Sequence, residues 1–101
     1  MKRVELSSRA IEHFASQGFV HTRVARGDVH VSFARLDGVI GGHDAASRQL
    51  LTVLSGRVEC ASTEEKVDVG VGQAVEWQEG EWHETRSLEP SLLLLVEGAF
   101  E

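Results

Sequence analysis

The stretch from Gly72 to His83, GQAVEWQEGEWH, carries the pattern that decides the fold. Its first glycine forms a turn, and a short apolar strand is predicted over residues 74–77. A second glycine turn at Gly80 leads to the histidine that begins the next strand. Glycine suits such turns because it adopts the positive φ that other residues avoid. Two strands separated by a tight turn predict an antiparallel β-structure here.

The same spacing continues on both sides of this stretch. Apolar and polar residues alternate over residues 29–34, which predicts a half-buried strand. Other short apolar or alternating segments, separated by turn residues, cover residues 50–54, 57–61, 67–69, 83–87 and 92–96. About eight short strands with turn signals roughly every 8 to 12 residues predict an all-β sandwich or barrel. The last segment is apolar on both faces, so we expect its outer face to meet a second sheet or a second subunit.

The N-terminal region has a helical pattern instead. Ser8 can cap a helix, and Gly18 stands where a helix would end. Ile11 and Phe14 are three residues apart and fall on the same helical face. The sequence therefore predicts one short N-terminal helix ahead of the strands.

Length and charge exclude several classes of protein. A chain of 101 residues is expected to form a single domain over residues 1–101. Sixteen acidic residues against ten Lys and Arg give a net charge of -6. We expect neither nucleic acid nor an anionic membrane as a partner, because both require a basic face.

The single cysteine and the short apolar runs indicate in which cellular compartment the protein is expected. Cys60 is the only cysteine, so no disulfide can form within the chain. It shares a strand face with Val58, which predicts a buried thiol rather than a nucleophile. The polar N-terminal residues lack a secretory signal, and the longest apolar run is far shorter than the roughly 20 residues of a membrane span. We expect a soluble cytoplasmic protein.

A second stretch, residues 43–56, places polar side chains above apolar ones. If it is extended, His43 and Gln49 lie on the same face as Leu51 and Val53. Polar groups at one end of an apolar face are typical of a barrel whose open end is polar and whose interior is filled by apolar side chains.

These two stretches resemble the two motifs of the small single-domain cupins. The second motif, G-x5-P-x-G-x2-H-x3-N, matches at Gly72, Gly80 and His83. Gln78 replaces its proline, and Ser87 replaces its asparagine. This match spans about residues 72–87.

The first cupin motif, G-x5-H-x-H-x3,4-E-x6-G, matches at His43 and Gly56, over about residues 38–56. Ala45 replaces its second histidine, Gln49 replaces its glutamate, and Gly38 is one position away from its first glycine. Together the two motifs extend the resemblance over roughly residues 37–96.

The resemblance implies a double-stranded β-helix, or jelly-roll barrel, and a homodimer often built by N-terminal strands. It also implies a metal site at His43, Gln49 and His83, since cupins bind one divalent metal with three histidines and a glutamate. A neutral amide is a poorer ligand than a carboxylate, and Ala45 offers no ligand atom. We therefore expect at most one weakly bound divalent transition metal.

The individual residues leave alternatives open. His43 and His83 either bind a metal or hydrogen-bond to each other, to water or to Gln49 in a polar pocket. His30 is the best candidate for a third metal ligand. Trp77 and its neighbour across the turn, Trp82, either form an aromatic wall for a ligand or pack in the core or a dimer interface.

Three functions follow from these alternatives. The first is a cupin that binds or senses a small polar or anionic molecule with His43, Gln49, His83 and Trp77. The second is a metal-dependent isomerase, dioxygenase or lyase that uses His43 and His83. The third is a structural or regulatory dimeric scaffold. We favour the first function, because the spacing of the motifs is retained while some of their metal ligands are replaced. The sequence does not decide whether the protein is an enzyme.

Overall fold

A computed structural model describes residues 1–101. Its elements, in chain order, are β1 (Ser8–Ala10), a 3-10 turn (His13–Ala15), β2 (Gln17–Ala25), β3 (Val29–Asp44), β4 (Gln49–Ala61), β5 (Lys66–Gly70), β6 (Ala74–Trp77) and β7 (Trp82–Gly98). All strand pairs are antiparallel. The seven strands form one sheet with the order β1-β2-β3-β7-β4-β5, and β6 pairs with the edge of β4 that faces away from β7. The predicted all-β class is confirmed.

Three strands are longer than the sequence pattern predicts, because residues expected to form turns form bulges instead. The pairing of β3 with β7 shifts register between Leu36 and Val39, around Gly38. The pairing of β4 with β7 shifts register on both sides of Gly56, which has a φ of 90°. A bulge bends a strand without ending it. Pairs of predicted short strands therefore merge into β3, β4 and β7.

The sheet curls into a barrel. A flat strand of 17 residues, the length of β7, would be about 55 Å long. The longest dimension of the whole protein is 46 Å, and the other two are 28 and 27 Å. One cluster of twelve buried side chains fills the interior and draws on every strand except β1. The predicted jelly-roll barrel is confirmed.

The core follows the predicted alternation. Leu51 and Val53 point inward from β4, and each is only 1% exposed. Val58 and Cys60 are buried further along the same strand. Leu93 on β7 is fully buried against them in the same cluster. The apolar base of the barrel therefore lies where the shared faces of Leu51 with Val53 and of Val58 with Cys60 predict.

The predicted N-terminal helix is wrong. Ser8–Ala10 forms a strand that pairs with β2, with Ser8 opposite Thr22. The only helical segment is the single turn His13–Ala15, and within it Phe14 and Ala15 have φ values of 58° and 59°, in the left-handed region. A short helix has little stability of its own, so pairing with β2 determines the conformation of Ser8–Ala10. No helix in the structure has the length and apolar character needed to cross a membrane.

Candidate functional site

Two imidazoles meet near one end of β7, as the motif spacing predicts. His43 on β3 and His83 on β7 are register partners, and their ring centroids lie 4.5 Å apart. The loops beside them are joined at Ala45, whose N–H donates to the Glu81 carbonyl at 2.9 Å. The Ala45 carbonyl in turn accepts from the Gly80 N–H at 2.8 Å. These backbone bonds hold the two cupin-like motifs against each other.

Each of the two imidazoles is oriented by a backbone carbonyl. His43 Nδ1 lies 2.8 Å from the Gly41 oxygen, and His83 Nδ1 lies 3.3 Å from the Glu81 oxygen. A carbonyl oxygen only accepts hydrogen bonds, so Nδ1 is the protonated nitrogen and the Nε2 lone pair remains free. Burial lowers the pKa of His83, which is 2% exposed. His83 is therefore held as a neutral acceptor.

The donor set does not fit the metal centre that the resemblance implies. No three His, Cys, Asp or Glu residues lie close enough together to hold a metal ion. Ala45 is buried and contributes a methyl group where a third imidazole would be needed. His30 is exposed and belongs to no such group of ligands. Two imidazoles and the Gln49 amide lack the charge and the ligand number of a resident divalent site.

A cavity of about 140 Å³ lies beside His43. Its polar lining consists of His13, Ser16, His21, His43, Gln49 and Glu97. Its apolar lining consists of Ile11, Phe14, Phe19, Ile40 and Leu95. An apolar chamber with a few converging polar groups is the usual form of a small-molecule site.

The curling of β7 explains how these polar groups come together. His43 lies beside the first residues of β7, while Gln49 is the register partner of Glu97 near its last residues. On a flat sheet these positions would be separated by most of the length of the strand. In the barrel they line the same cavity.

Of the six polar lining residues, the sequence identified His43 and Gln49, and two of the four that it missed, His21 and Glu97, lie on strands. Glu97 continues the inward-facing alternation of Leu93 and Leu95, but the predicted last strand ended one residue before it. His21 follows the buried Phe19 at the same spacing on β2. In both cases, continuing the alternation of inward and outward side chains along the strand would have identified the residue.

A turn of the N-terminal region covers the cavity. The Phe14 ring stacks on the His43 ring with centroids 4.3 Å apart and an interplanar angle of 9°. Phe14 is nevertheless 61% exposed, so it forms the outer wall. Ser16 Oγ accepts a hydrogen bond from the Gly41 N–H at 2.9 Å and fastens the turn to β3. Only glycine fits at position 41, because a Cβ there would lie 1.6 Å from the Phe14 carbonyl oxygen.

The tryptophans pack rather than line the cavity. Trp77 is 3% exposed, and its ring lies 4.5 Å from that of His83, on the core side. Trp82 packs on Gly42, where a Cβ would lie 2.2 Å from its indole ring. Trp77 therefore packs in the core against His83 and does not line the cavity beside His43.

A larger groove, of about 540 Å³, lies elsewhere on the surface. Its polar lining includes Arg35, Asp37 and Ser91, and it contains neither His43 nor His83. The groove is more open than the cavity and contains none of the predicted site residues. We therefore consider the smaller cavity to be the candidate site.

Comparisons with known proteins identify several similar solved structures. No protein-family model and no curated protein matches the sequence. A conserved protein of unknown function from Streptococcus pyogenes is 29% identical, with a TM-score of 0.73 over 82% of this chain and 75% of that one. KdgF from Halomonas sp. is 25% identical, with a TM-score of 0.73 over 85% and 87%. A cupin 2 conserved barrel domain protein from Rhodopseudomonas palustris is 16% identical, with a TM-score of 0.79 over 95% and 73%, a likeness that concerns the fold alone.

Proposed function

We propose that this chain, which has the fold of small cupin domains, binds a small organic molecule in the cavity beside His43. One observation carries the proposal: His43 and Gln49, from different strands, line the same chamber of about 140 Å³. The chamber is smaller than the roughly 300 to 1,000 Å³ of sites for drug-sized ligands, so the ligand is a small one.

The lining residues have complementary roles in such binding. The free Nε2 of His43 accepts a hydrogen bond, and the Gln49 amide both donates and accepts. The apolar walls exclude water, which strengthens each of these polar contacts. Phe14 covers the His43 ring and shields it from solvent on that side. Together these groups orient a small molecule that has at least one polar end.

A thermal-shift screen of small polar compounds tests the proposal. A ligand that binds only the folded state raises Tm, and we expect at least one such compound. His43→Ala and Gln49→Ala should remove the shift. Gln78→Ala is the matched control for Gln49→Ala, because Gln78 is an exposed glutamine outside the cavity. The proposal is refuted if no compound raises Tm, or if the shift survives in both cavity variants.

The metal-dependent enzyme is a second candidate, with one observation in its favour. His43 and His83 present free Nε2 atoms on rings 4.5 Å apart, each oriented by a carbonyl as metal-binding imidazoles commonly are. The missing third ligand counts against it. Element analysis of protein never exposed to chelator separates the two candidates. Stoichiometric metal that is lost in His83→Ala would favour the enzyme.

We also propose that the protein is a homodimer. β1 lies at the edge of the sheet, so one row of its backbone groups is free to pair with another strand. Val4 and Leu6, in the segment that precedes β1, are apolar side chains left exposed. Light scattering coupled to gel filtration tests the assembly. Twice the chain mass is expected, and a monomer at every concentration would refute the dimer.

A further inference from the structure

The cavity has an asymmetric distribution of charge. Glu97 is the only acidic residue that lines it, and no lysine or arginine does. The remaining polar groups are three imidazoles, a hydroxyl and an amide. Nothing in the lining is therefore a permanent cation that could bind an anionic ligand. A fixed negative charge in a partly apolar chamber favours a positive partner.

Glu97 has no such partner within the protein. It belongs to none of the four salt bridges. Its carboxylate also takes part in none of the side-chain hydrogen bonds. The side chain is half-buried at the end of the inward-facing row of Leu93 and Leu95. A carboxylate in this position retains its hydrogen-bonding capacity for a ligand.

The imidazole of His21, which also lines the cavity, does not neutralise Glu97. Burial lowers the pKa of His21, and the attraction of Glu97 opposes that effect without reversing it. His21 is therefore mainly neutral at pH 7. His21 therefore leaves the Glu97 carboxylate without a cationic partner in the cavity lining.

The aromatic lining suits the same kind of ligand. Phe14 and Phe19 both line the cavity, and an aromatic face attracts a cation through its quadrupole. The apolar side chains around them suit a short hydrocarbon portion. A volume of about 140 Å³ holds roughly five water-sized groups, since water takes about 30 Å³ each in the liquid.

From these contacts we infer that the ligand is a small organic cation, a protonated amine on a short apolar chain, whose ammonium group binds the Glu97 carboxylate. This inference rests on the proposed function, because it names the ligand class of the same cavity. The Gln49 oxygen and the free imidazole nitrogens accept the remaining N–H groups.

Isothermal titration calorimetry with three probes of matched size tests the ligand class. The probes are butylammonium, butan-1-ol and propanoate, which differ in charge. We expect butylammonium to bind roughly tenfold more tightly than butan-1-ol, as one charge-assisted hydrogen bond provides, and propanoate to bind most weakly. Glu97→Gln keeps the size of the side chain and should reduce the affinity for butylammonium to that for the alcohol.

Two further variants separate charge from packing. Glu97→Asp keeps the charge and should retain the preference for butylammonium over butan-1-ol. Glu89→Gln removes a carboxylate from an exposed position of the same strand and should leave the affinities unchanged. The melting temperature of each variant without ligand reports whether it is folded.

The possible failures are distinguishable. If butan-1-ol or propanoate binds at least as tightly as butylammonium, the inference is wrong and the proposed function stands. If butylammonium binds equally to the wild type and to Glu97→Gln, the assignment of Glu97 is wrong. If none of the three probes binds, the cation inference is overturned, and the wider thermal-shift screen decides the proposed function separately.

Discussion

Replacing Gly41 by alanine should detach the turn that covers the cavity. The new Cβ would lie 1.6 Å from the Phe14 carbonyl oxygen, whereas ordinary contacts begin at 3.4 Å. One of the two segments must therefore move by about 1.8 Å, the difference between these values. Backbone atoms of β3 are held by pairing with β7, so we expect the turn over residues 13–16 to move.

The cost of this movement follows from the two contacts that fasten the turn. The hydrogen bond from the Gly41 N–H to Ser16 Oγ contributes about 1 kcal/mol. The stacking of Phe14 on His43 contributes about another 1 kcal/mol. We therefore expect Gly41→Ala to reduce the free energy of unfolding by about 2 kcal/mol. The corresponding fall in Tm is roughly 8 °C or more for a domain of this size.

Urea unfolding of Gly41→Ala measures this change, and Gly27→Ala is its matched control. A Cβ at Gly27 would have no atom within 4 Å, so that variant should remain within about 0.5 kcal/mol of the wild type. Equal stability of the two variants would refute the fastened turn. A Gly41→Ala protein that is destabilised but retains full ligand affinity would show that the turn does not shape the cavity.

Three further predictions concern the core and the buried titratable groups. Leu93→Ala should lower the free energy of unfolding by roughly 2 to 5 kcal/mol in chemical denaturation, because Leu93 is fully buried, and a loss below about 1 kcal/mol would contradict its place in the core. Burial lowers the folded-state pKa of both His83 and His21, so the unfolded chain binds protons more readily than the folded one. Stability should therefore be complete above about pH 6.5 and fall as the pH drops below that value, and melting curves that do not change between neutral and mildly acidic pH would disprove it. Burial raises the pKa of Cys60 to about 11, so iodoacetamide should label Cys60 only in denaturant, and rapid labelling of the native protein would contradict its burial.

The sequence contains the information that brings the two imidazoles together. His43 and His83 each lie at a fixed spacing from the glycines of their motif. The antiparallel pairing of β3 with β7 then brings the two imidazoles together. The inward alternation of Leu51 and Val53 is equally local, since side chains on a strand alternate between its two faces. Both features could be predicted because they depend on the alternation of side chains along a strand or on the spacing of glycines. Neither depends on contacts with residues far away in the sequence.

The N-terminal region could not be predicted in the same way. Ile11 and Phe14 have the spacing of a helical face, yet the segment before them pairs with β2 as strand β1. The left-handed conformation of Phe14 and Ala15 is stabilised by contact with Gly41, a residue far away in the sequence. Tertiary contacts decided the conformation there, and the local pattern of a short segment does not report them.

Glu97 was missed for a different reason. The predicted last strand ended where the apolar run ends, but β7 continues to Gly98 because β3 and β4 pair with it on both sides. The bulges that bend this strand lie at positions where the sequence predicts turns. Curvature determines which polar residues converge, and it depends on the closed sheet as a whole.

A crystal structure of the protein with a compound from the thermal-shift screen tests the central claim most directly. We expect density for the compound between His43, Gln49 and Glu97, beneath the ring of Phe14. Density in the larger groove beside Arg35, with the chamber next to His43 filled by its own side chains, would contradict the proposed function and the inference that rests on it.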